Sequence, residues 1–112
     1  MIDDHLRAAL KHSGGLMNEA ALEAWIKHET SHVIKLPNST ICAEIVTHPN
    51  VGIKTIDFPF AGGNLEEIKA YEPRLLHWGR REGCTKAILS GRRGWARVLG
   101  YTPAYTVMTK DL

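Results

Sequence analysis

The chain has 112 residues, 44% of them hydrophobic and 23% charged, and its 14 basic and 12 acidic residues leave a net charge of +2. This length supports one domain, residues 1–112, whose single core needs neither a disulfide nor a metal to fold. No apolar run approaches the ~20 residues of a membrane-spanning helix. Two cysteines without a basic, apolar leader also argue against a secreted disulfide scaffold, so we expect an intracellular globular protein.

The first half of the chain predicts two short helices followed by three strands. Asp3 or Asp4 caps the first helix, which ends before Gly14-Gly15, and Asn18 caps the second. From Ser31 onward, β-branched and aromatic residues dominate. These residues predict three strands, separated by turns rich in proline, asparagine and glycine, at residues 33–36, 41–46 and 53–60.

The second half predicts a long helix and three shorter elements. Asn64 caps the long helix, and Glu67 stands where a capping box places its reciprocal acceptor. Pro73 is expected to kink or divide this helix because proline lacks an N–H and clashes with the preceding turn, and Gly83 ends it. The remaining elements are a strand at Lys86–Ser90, a helix at Arg92–Leu99 and a last strand at Tyr105–Met108. The sequence therefore predicts an α+β fold with the order ααβββαβαβ.

The C-terminal third carries a family resemblance. A helix ends in Glu82-Gly83-Cys84, a strand follows, and the next helix closes on Leu99-Gly100-Tyr101 before a segment that ends in Lys110-Asp111-Leu112. This arrangement resembles the GNAT N-acetyltransferases, and the stretch from Ser90 to Leu99 looks like small proteins of this fold encoded by tailed bacteriophages. The resemblance implies a GNAT-like fold, with a mixed, mostly antiparallel sheet flanked by helices.

The resemblance also locates the loop that holds acetyl-CoA in the family. Backbone amides of this loop bind the pyrophosphate, and here they would belong to Gly62, Gly63 and Asn64, at the start of a helix. Pro59 removes one amide donor from the loop, and two glutamates follow in the first helical turn, where their charge opposes an anion. These departures from the family pattern disfavour acetyl-CoA binding.

The family's usual acid is missing from its aligned position. In active members a tyrosine shortly before the Leu-Gly-aromatic turn commonly protonates the departing thiolate. The aligned residue is Ala96, or Trp95 with a one-residue shift, and neither side chain can donate that proton. The resemblance therefore implies the fold more strongly than the activity, and we predict no catalytic residue and no cofactor, with acetyl-CoA as the alternative.

The segment from His28 to His32 matches H-E-x-x-H, the zinc-peptidase signature in which two histidines one helical turn apart bind the metal. Both histidines must then lie on one helix, whereas Thr30-Ser31 before Val33-Ile34 is typical of a helix end that passes into a strand. A third ligand would be needed, with His48, Glu66 and Glu72 as candidates. We predict no metal site, and His28 and His32 remain weak candidates for one.

Basic residues crowd the last third of the chain, and three interpretations stay open. They form a solvated face, a phosphate-binding surface for DNA or CoA, or a docking surface for an acidic partner protein. The low net charge and the missing aromatic platform disfavour nucleic acid, and we expect Trp95 to be partly exposed. The candidate partner-binding residues are Arg92, Arg93, Trp95 and Arg97.

The two cysteines lack a C-x-x-C spacing. Cys42 is expected to be a buried strand thiol and Cys84 a more exposed one, neither of them catalytic.

The resemblance implies a non-catalytic phage protein that passes from the host cytoplasm into the virion. There it would dock, in several copies, on a larger virion protein of the head, portal, connector or tail region, with no membrane partner. The alternative is a small N-acetyltransferase that uses acetyl-CoA, and a zinc peptidase is third.

Overall fold

The computed structural model describes residues 2–91 and 93–112, except for the side chain of Arg93. The described residues form four helices and four strands in the order ααβββαβα. The elements are α1 (Asp4–Leu10), α2 (Glu19–Ile26), β1 (His32–Leu36), β2 (Ser39–His48), β3 (Ile53–Gly63), α3 (Leu65–Arg81), β4 (Lys86–Leu89) and α4 (Arg93–Leu99). This order agrees with the predicted one through its first eight elements.

Both N-terminal helices begin at the residues that the sequence indicated. The Asp3 carboxylate accepts a hydrogen bond from the Leu6 N–H at 3.0 Å, and the Asn18 side chain accepts one from the Ala21 N–H at 2.9 Å. Each cap supplies a partner for an amide that has none within the helix.

The helix α3 runs without interruption from Leu65 to Arg81, with Pro73 inside it, so the predicted division into two pieces is wrong. Proline removes the bond to the carbonyl of Lys69, but both residues are exposed and water can hydrate that carbonyl. Ile68 and Leu75 are buried on either side of the proline. Their packing holds the helix together across the missing bond.

The sheet has the strand order β1-β2-β3-β4. The first three strands form an antiparallel meander, and β4 pairs with β3 in parallel. A parallel neighbour requires a crossover connection, which α3 supplies. The mixed, mostly antiparallel sheet is therefore confirmed.

Each face of the sheet is covered by helices. On one face, α3 and Trp95 of α4 pack over strand residues that include Ile41, Ile56 and Phe58. On the other face, α1 and α2 bury Leu6 and Leu22 against the strands. Burying a leucine of this kind stabilises the fold by roughly 1.5–3 kcal/mol, so the two N-terminal helices are an integral part of the domain.

The predicted last strand at Tyr105–Met108 is wrong, because residues 101–112 belong to no helix or strand and residues 102–112 are exposed. A β-prone segment becomes a strand only where a neighbouring strand accepts its hydrogen bonds. In the described chain, β4 pairs with β3 alone.

None of the helices in the described residues combines the length and apolarity needed to cross a membrane.

Candidate functional site at the carboxyl ends of β3 and β4

The parallel strands β3 and β4 pair for only four residues, from Thr55 to Phe58 on β3, after which β4 ends and β3 continues. Between the Glu44 and Cys42 pairs, β3 has one residue more than β2, which is a β-bulge. Pro59 lies in this bulge, where the absence of its N–H does not remove a regular hydrogen bond between the strands. The bulge and the early end of β4 leave a gap between the two strands.

A small apolar crevice occupies this gap, with a volume of about 20 Å³, enough for roughly one water molecule. The crevice lies between the two strands, α3 and the segment after α4. Its apolar lining is formed by Ile41, Phe58, Ala61, Ile68, Leu75, Leu89 and Leu99, and its polar groups come from Glu72 and Tyr101. A carboxylate and a phenol in an apolar crevice form the most reactive pair of groups at this site.

Tyr101 reaches the crevice because the chain turns sharply after α4. Gly100 adopts a φ of 77°, and the Tyr101 N–H donates to the Ala96 carbonyl at 2.8 Å, as in a helix C-terminal turn. The Tyr101 hydroxyl is buried without a hydrogen bond of normal length and angle. Burial raises the pKa of Tyr101, and the nearby Glu72 carboxylate raises it further, so the phenol stays protonated at neutral pH.

Sequence reasoning missed this side chain. The positions aligned with the family's acid are Ala96 and Trp95, whereas the phenol in the crevice belongs to Tyr101, the aromatic residue of the Leu-Gly-aromatic turn itself. The signal was present in the sequence, since a tyrosine at this position is an aromatic residue that also carries a titratable hydroxyl.

Of the three residues expected to hold a pyrophosphate, Asn64 has its amide already engaged, and the two glycines are closely packed. The Asn64 N–H lies 3.0 Å from the Asn38 carbonyl and 3.1 Å from the Ser39 hydroxyl. Gly63 has a φ of 118°, and a Cβ built on it would lie 2.3 Å from the Asn38 carbonyl oxygen. A Cβ built on Gly62 would lie 2.1 Å from the His5 carbonyl oxygen. The turn between β1 and β2 and the helix α1 therefore occupy the space beside both glycines.

Glu67 adds a negative charge to the same place. Its N–H donates to the Asn64 side chain at 3.0 Å, as a cap predicts. Its carboxylate, however, does not return to the Asn64 amide; it accepts from the Asn38 N–H at 3.0 Å, so the reciprocal half of the capping box is wrong. With this carboxylate fixed beside the start of α3, Gly62, Gly63 and Asn64 do not fit a pyrophosphate.

The two histidines of the H-E-x-x-H match lie on different elements. His28 follows the end of α2, and its Nδ1 lies 2.9 Å from the Thr30 hydroxyl. His32 begins β1 and packs edge-on against Trp78, with 4.9 Å between ring centroids. The transition from helix to strand is as the sequence predicted, and it removes the single-helix geometry that the zinc signature requires. No group of three His, Cys, Asp or Glu side chains suited to a metal occurs among the described residues.

The structure describes the side chains of two of the four candidate partner-binding residues, Trp95 and Arg97. Trp95 is only 7% exposed and packs in the core, so the prediction that it is partly exposed is wrong. Its large ring covers the sheet face that the short α4 would otherwise leave open. Arg97 is exposed, whereas Arg92 and the side chain of Arg93 lie outside the described residues.

Both cysteines are free thiols. Cys42 is fully buried, and burial together with the Asp3 carboxylate raises its pKa to about 12. Cys84 is half-buried, and burial is the main cause of its raised pKa. Neither thiol has the lowered pKa of a nucleophilic cysteine.

A chain of three polar side chains lies elsewhere on the sheet. His48 Nε2 is 2.8 Å from the Thr55 hydroxyl, which donates to the Asp57 carboxylate at 2.6 Å. Thr55 is only 1% exposed, so its hydroxyl is not open to a substrate. We therefore assign these three side chains a structural role, in which His48 and Asp57 are the hydrogen-bond partners of the buried Thr55 hydroxyl.

No protein-family model and no curated protein matches the chain, but several solved structures do. A ribosomal-protein-alanine N-acetyltransferase from Brucella melitensis superimposes with a TM-score of 0.63 at 9% identity, over 96% of this chain and 88% of that one. A mutant of the BH1408 protein from Bacillus halodurans gives 0.66 at 13% identity, over 95% and 85%.

A GNAT family acetyltransferase from Staphylococcus aureus adds a third match, with a TM-score of 0.50 at 20% identity over 81% of this chain and 72% of that one. This chain has the GNAT fold. The likeness concerns the overall fold and extends over most of each chain. At these identities the GNAT fold says nothing about which chemistry, if any, the chain performs.

Proposed function

We propose that this chain is a GNAT-fold protein that works without acetyl-CoA, as a virion-associated accessory component. In this proposal several copies dock on a larger virion protein of the head, portal, connector or tail region. The non-catalytic half of the proposal is that the chain works without acetyl-CoA. It rests on one observation: the Asn64 N–H already donates to the Asn38 carbonyl, and the Glu67 carboxylate lies beside it. The virion half is supported by the resemblance of residues 90–99 to phage-encoded proteins of this fold.

Two features of the site support the absence of acyl transfer. A pyrophosphate placed at the start of α3 would meet the Glu67 carboxylate and would have to displace the turn that bears Asn38. The crevice beyond it, at about 20 Å³, is far smaller than the several hundred Å³ of an ordinary ligand pocket. These two features support the proposal that the chain works without acetyl-CoA.

Calorimetry with CoA tests the non-catalytic half. We expect no heat of binding at millimolar CoA, with an active GNAT acetyltransferase as the positive control in the same buffer. Micromolar binding would overturn this half of the proposal.

Mass spectrometry of purified phage particles tests the virion half. We expect the chain to be present in several copies per particle, and its absence from intact particles would overturn the assignment.

The Arg97→Glu variant tests the basic surface. The Arg97 side chain is exposed and lies away from the core, and the substitution reverses its charge. Arg81→Glu, at the exposed end of α3, is the matched control. We expect only Arg97→Glu to reduce incorporation.

One observation favours an N-acetyltransferase as the second candidate. The buried, protonated Tyr101 hydroxyl and the Glu72 carboxylate both line the crevice, and such a pair is able to donate and accept protons. Acetylation of a general amine acceptor by the purified chain, lost in Tyr101→Phe, would favour this candidate. Activity that persists in Tyr101→Phe would assign it to a contaminant or to other residues.

A further inference from the structure

A cavity lies between the last turn of α3 and the start of β4, and we call it the α3–β4 cavity. Its volume is about 190 Å³, against about 20 Å³ for the crevice beside Tyr101, so it holds a small organic molecule rather than a single water. The crevice lies at the carboxyl ends of β3 and β4, whereas this cavity lies at the amino end of β4. The two have no described lining residue in common.

The floor of the α3–β4 cavity is apolar. Ala87 on β4 pairs in register with Ile56 on β3, and Gly79 of α3 lies against Ile56. Ile56 is buried and Leu76 is half-buried, and both line the cavity. An alanine and a glycine on facing elements leave the space open, and the floor favours the apolar part of a ligand.

The rim of the cavity is basic. Arg80 and Lys86 both line it and are exposed, and neither has an ion-pair partner in the described part of the chain. The segment 79–87 contains three basic residues and one acidic residue, Glu82. Thr85 adds an exposed residue with a hydroxyl to the lining. Two unpaired cations beside an apolar floor attract an anion that also has an apolar part.

The end of α3 does not cancel this positive charge. A helix C-terminus carries partial negative charge on its free carbonyls. Here the Gly79 carbonyl accepts from the Cys84 N–H at 2.9 Å, and the Arg80 carbonyl accepts from the Gly83 N–H at 3.1 Å. Because these carbonyls are bonded within the chain, the side chains at the rim dominate the charge that a ligand meets.

We propose that the α3–β4 cavity binds a small organic carboxylate. Arg80 and Lys86 bind the carboxylate group, since a guanidinium donates hydrogen bonds to both of its oxygens and an ammonium adds a second charge. The aliphatic or aromatic part of the ligand covers the floor at Leu76 and Ala87. Inorganic phosphate fits less well, because it has no apolar part to cover that floor.

An NMR titration of the purified full-length chain with hexanoate tests this proposal. We expect saturable shifts at the amides of Gly79 and residues 85–87. Hexanamide has the same shape without the charge and should bind about tenfold more weakly, and inorganic phosphate should also bind more weakly than hexanoate. The absence of saturable binding, or equal affinity for hexanoate and either of the other two compounds, would overturn the proposal. The test needs neither CoA nor a virion protein, so its outcome is independent of the proposed function.

A double variant, Arg80→Gln with Lys86→Gln, removes both rim charges. It should weaken hexanoate binding about tenfold and keep the fold, because both side chains are exposed. Arg81→Gln is the matched control, since this exposed arginine is next to Arg80 in α3 and is not part of the cavity lining. We expect the control to leave the affinity unchanged. Equal losses in both variants would mean that net charge alone attracts the ligand, and would refute the site.

Cys84 provides a second readout, because it is half-buried and lines the cavity. Saturating hexanoate should slow the modification of Cys84 by a neutral thiol reagent in the unaltered chain. At the same hexanoate concentration, the double variant should show less protection. Modification of Cys84 at an unchanged rate in the unaltered chain would place hexanoate outside the cavity and overturn the proposal.

Discussion

The Glu67 carboxylate accepts a hydrogen bond from the Asn38 N–H at 3.0 Å, across 29 residues of sequence. This bond fastens the turn between β1 and β2 onto the first turn of α3. The Asn64 N–H, 3.0 Å from the Asn38 carbonyl, adds a second connection between the same elements. The start of α3, which would otherwise be an anion site, thereby becomes a junction inside the domain.

Removing the carboxylate from this junction should destabilise the fold. Glu67→Ala deletes the acceptor of the Asn38 N–H, and we expect the free energy of unfolding to fall by about 1 kcal/mol, measured by urea denaturation. Glu67→Gln keeps one side-chain oxygen as an acceptor and should lose less. Equal stability of Glu67→Ala and the unaltered chain would contradict a role for this bond.

Close packing of α1 against β3 predicts a strong effect at Gly62. Its added Cβ would lie 2.1 Å from the His5 carbonyl oxygen, so Gly62→Ala must push α1 away and should destabilise the fold by roughly 1–3 kcal/mol. Gly94→Ala in α4 is the matched control, because a Cβ there meets nothing within 4 Å. The control should stabilise the fold by up to about 1 kcal/mol, the helix-propensity difference. Similar denaturation curves for both variants would contradict this packing.

The Asp3 carboxylate predicts a dependence of stability on pH. Burial raises its pKa, but hydrogen bonds from the Thr40 hydroxyl and the Leu6 N–H outweigh burial and lower it overall. A lowered pKa in the folded state stabilises the fold above the unfolded pKa of about 3.9, and this contribution is lost as pH falls through the folded value. In Thr40→Val the pKa of Asp3, followed by NMR, should rise; an unchanged pKa would show that this bond is not its cause.

The buried Tyr101 hydroxyl predicts that its removal is tolerated. It has no hydrogen bond of normal geometry, so Tyr101→Phe removes an uncompensated polar group and should leave stability unchanged or raise it by up to about 1 kcal/mol. Tyr105→Phe, at an exposed side chain, is the matched control and should have no effect on stability. A clear loss of thermal stability in Tyr101→Phe alone would show that the hydroxyl is bonded in solution.

The two thiols should react at different rates. Cys84 is half-buried, whereas Cys42 is fully buried and has a pKa of about 12. A thiol reagent at neutral pH should therefore modify one cysteine in the folded chain and the second only after unfolding. Cys84→Ser should abolish the first reaction, and rapid labelling that survives in this variant would contradict the burial of Cys42.

Local sequence determined most of the elements and their starts. Asp3, Asn18 and Asn64 cap helices because a side-chain oxygen at the cap satisfies an amide of the first turn, which is a contact within three residues. The sequence also predicted the change from helix to strand at Ser31, and this change separates the two histidines of the zinc-like match. The family resemblance supplied the mixed sheet.

Tertiary structure decided the features that depend on distant partners. Glu67 pairs with Asn38 instead of closing a capping box, and Tyr101 enters the crevice, because folding brings together residues far apart in sequence. Pro73 stays within a continuous helix because neighbouring turns pack on the sheet. Tyr105–Met108 has the sequence of a strand but forms none, since a strand exists only where another backbone pairs with it. Composition and spacing determine what a segment prefers, and its neighbours in space decide whether that preference is met.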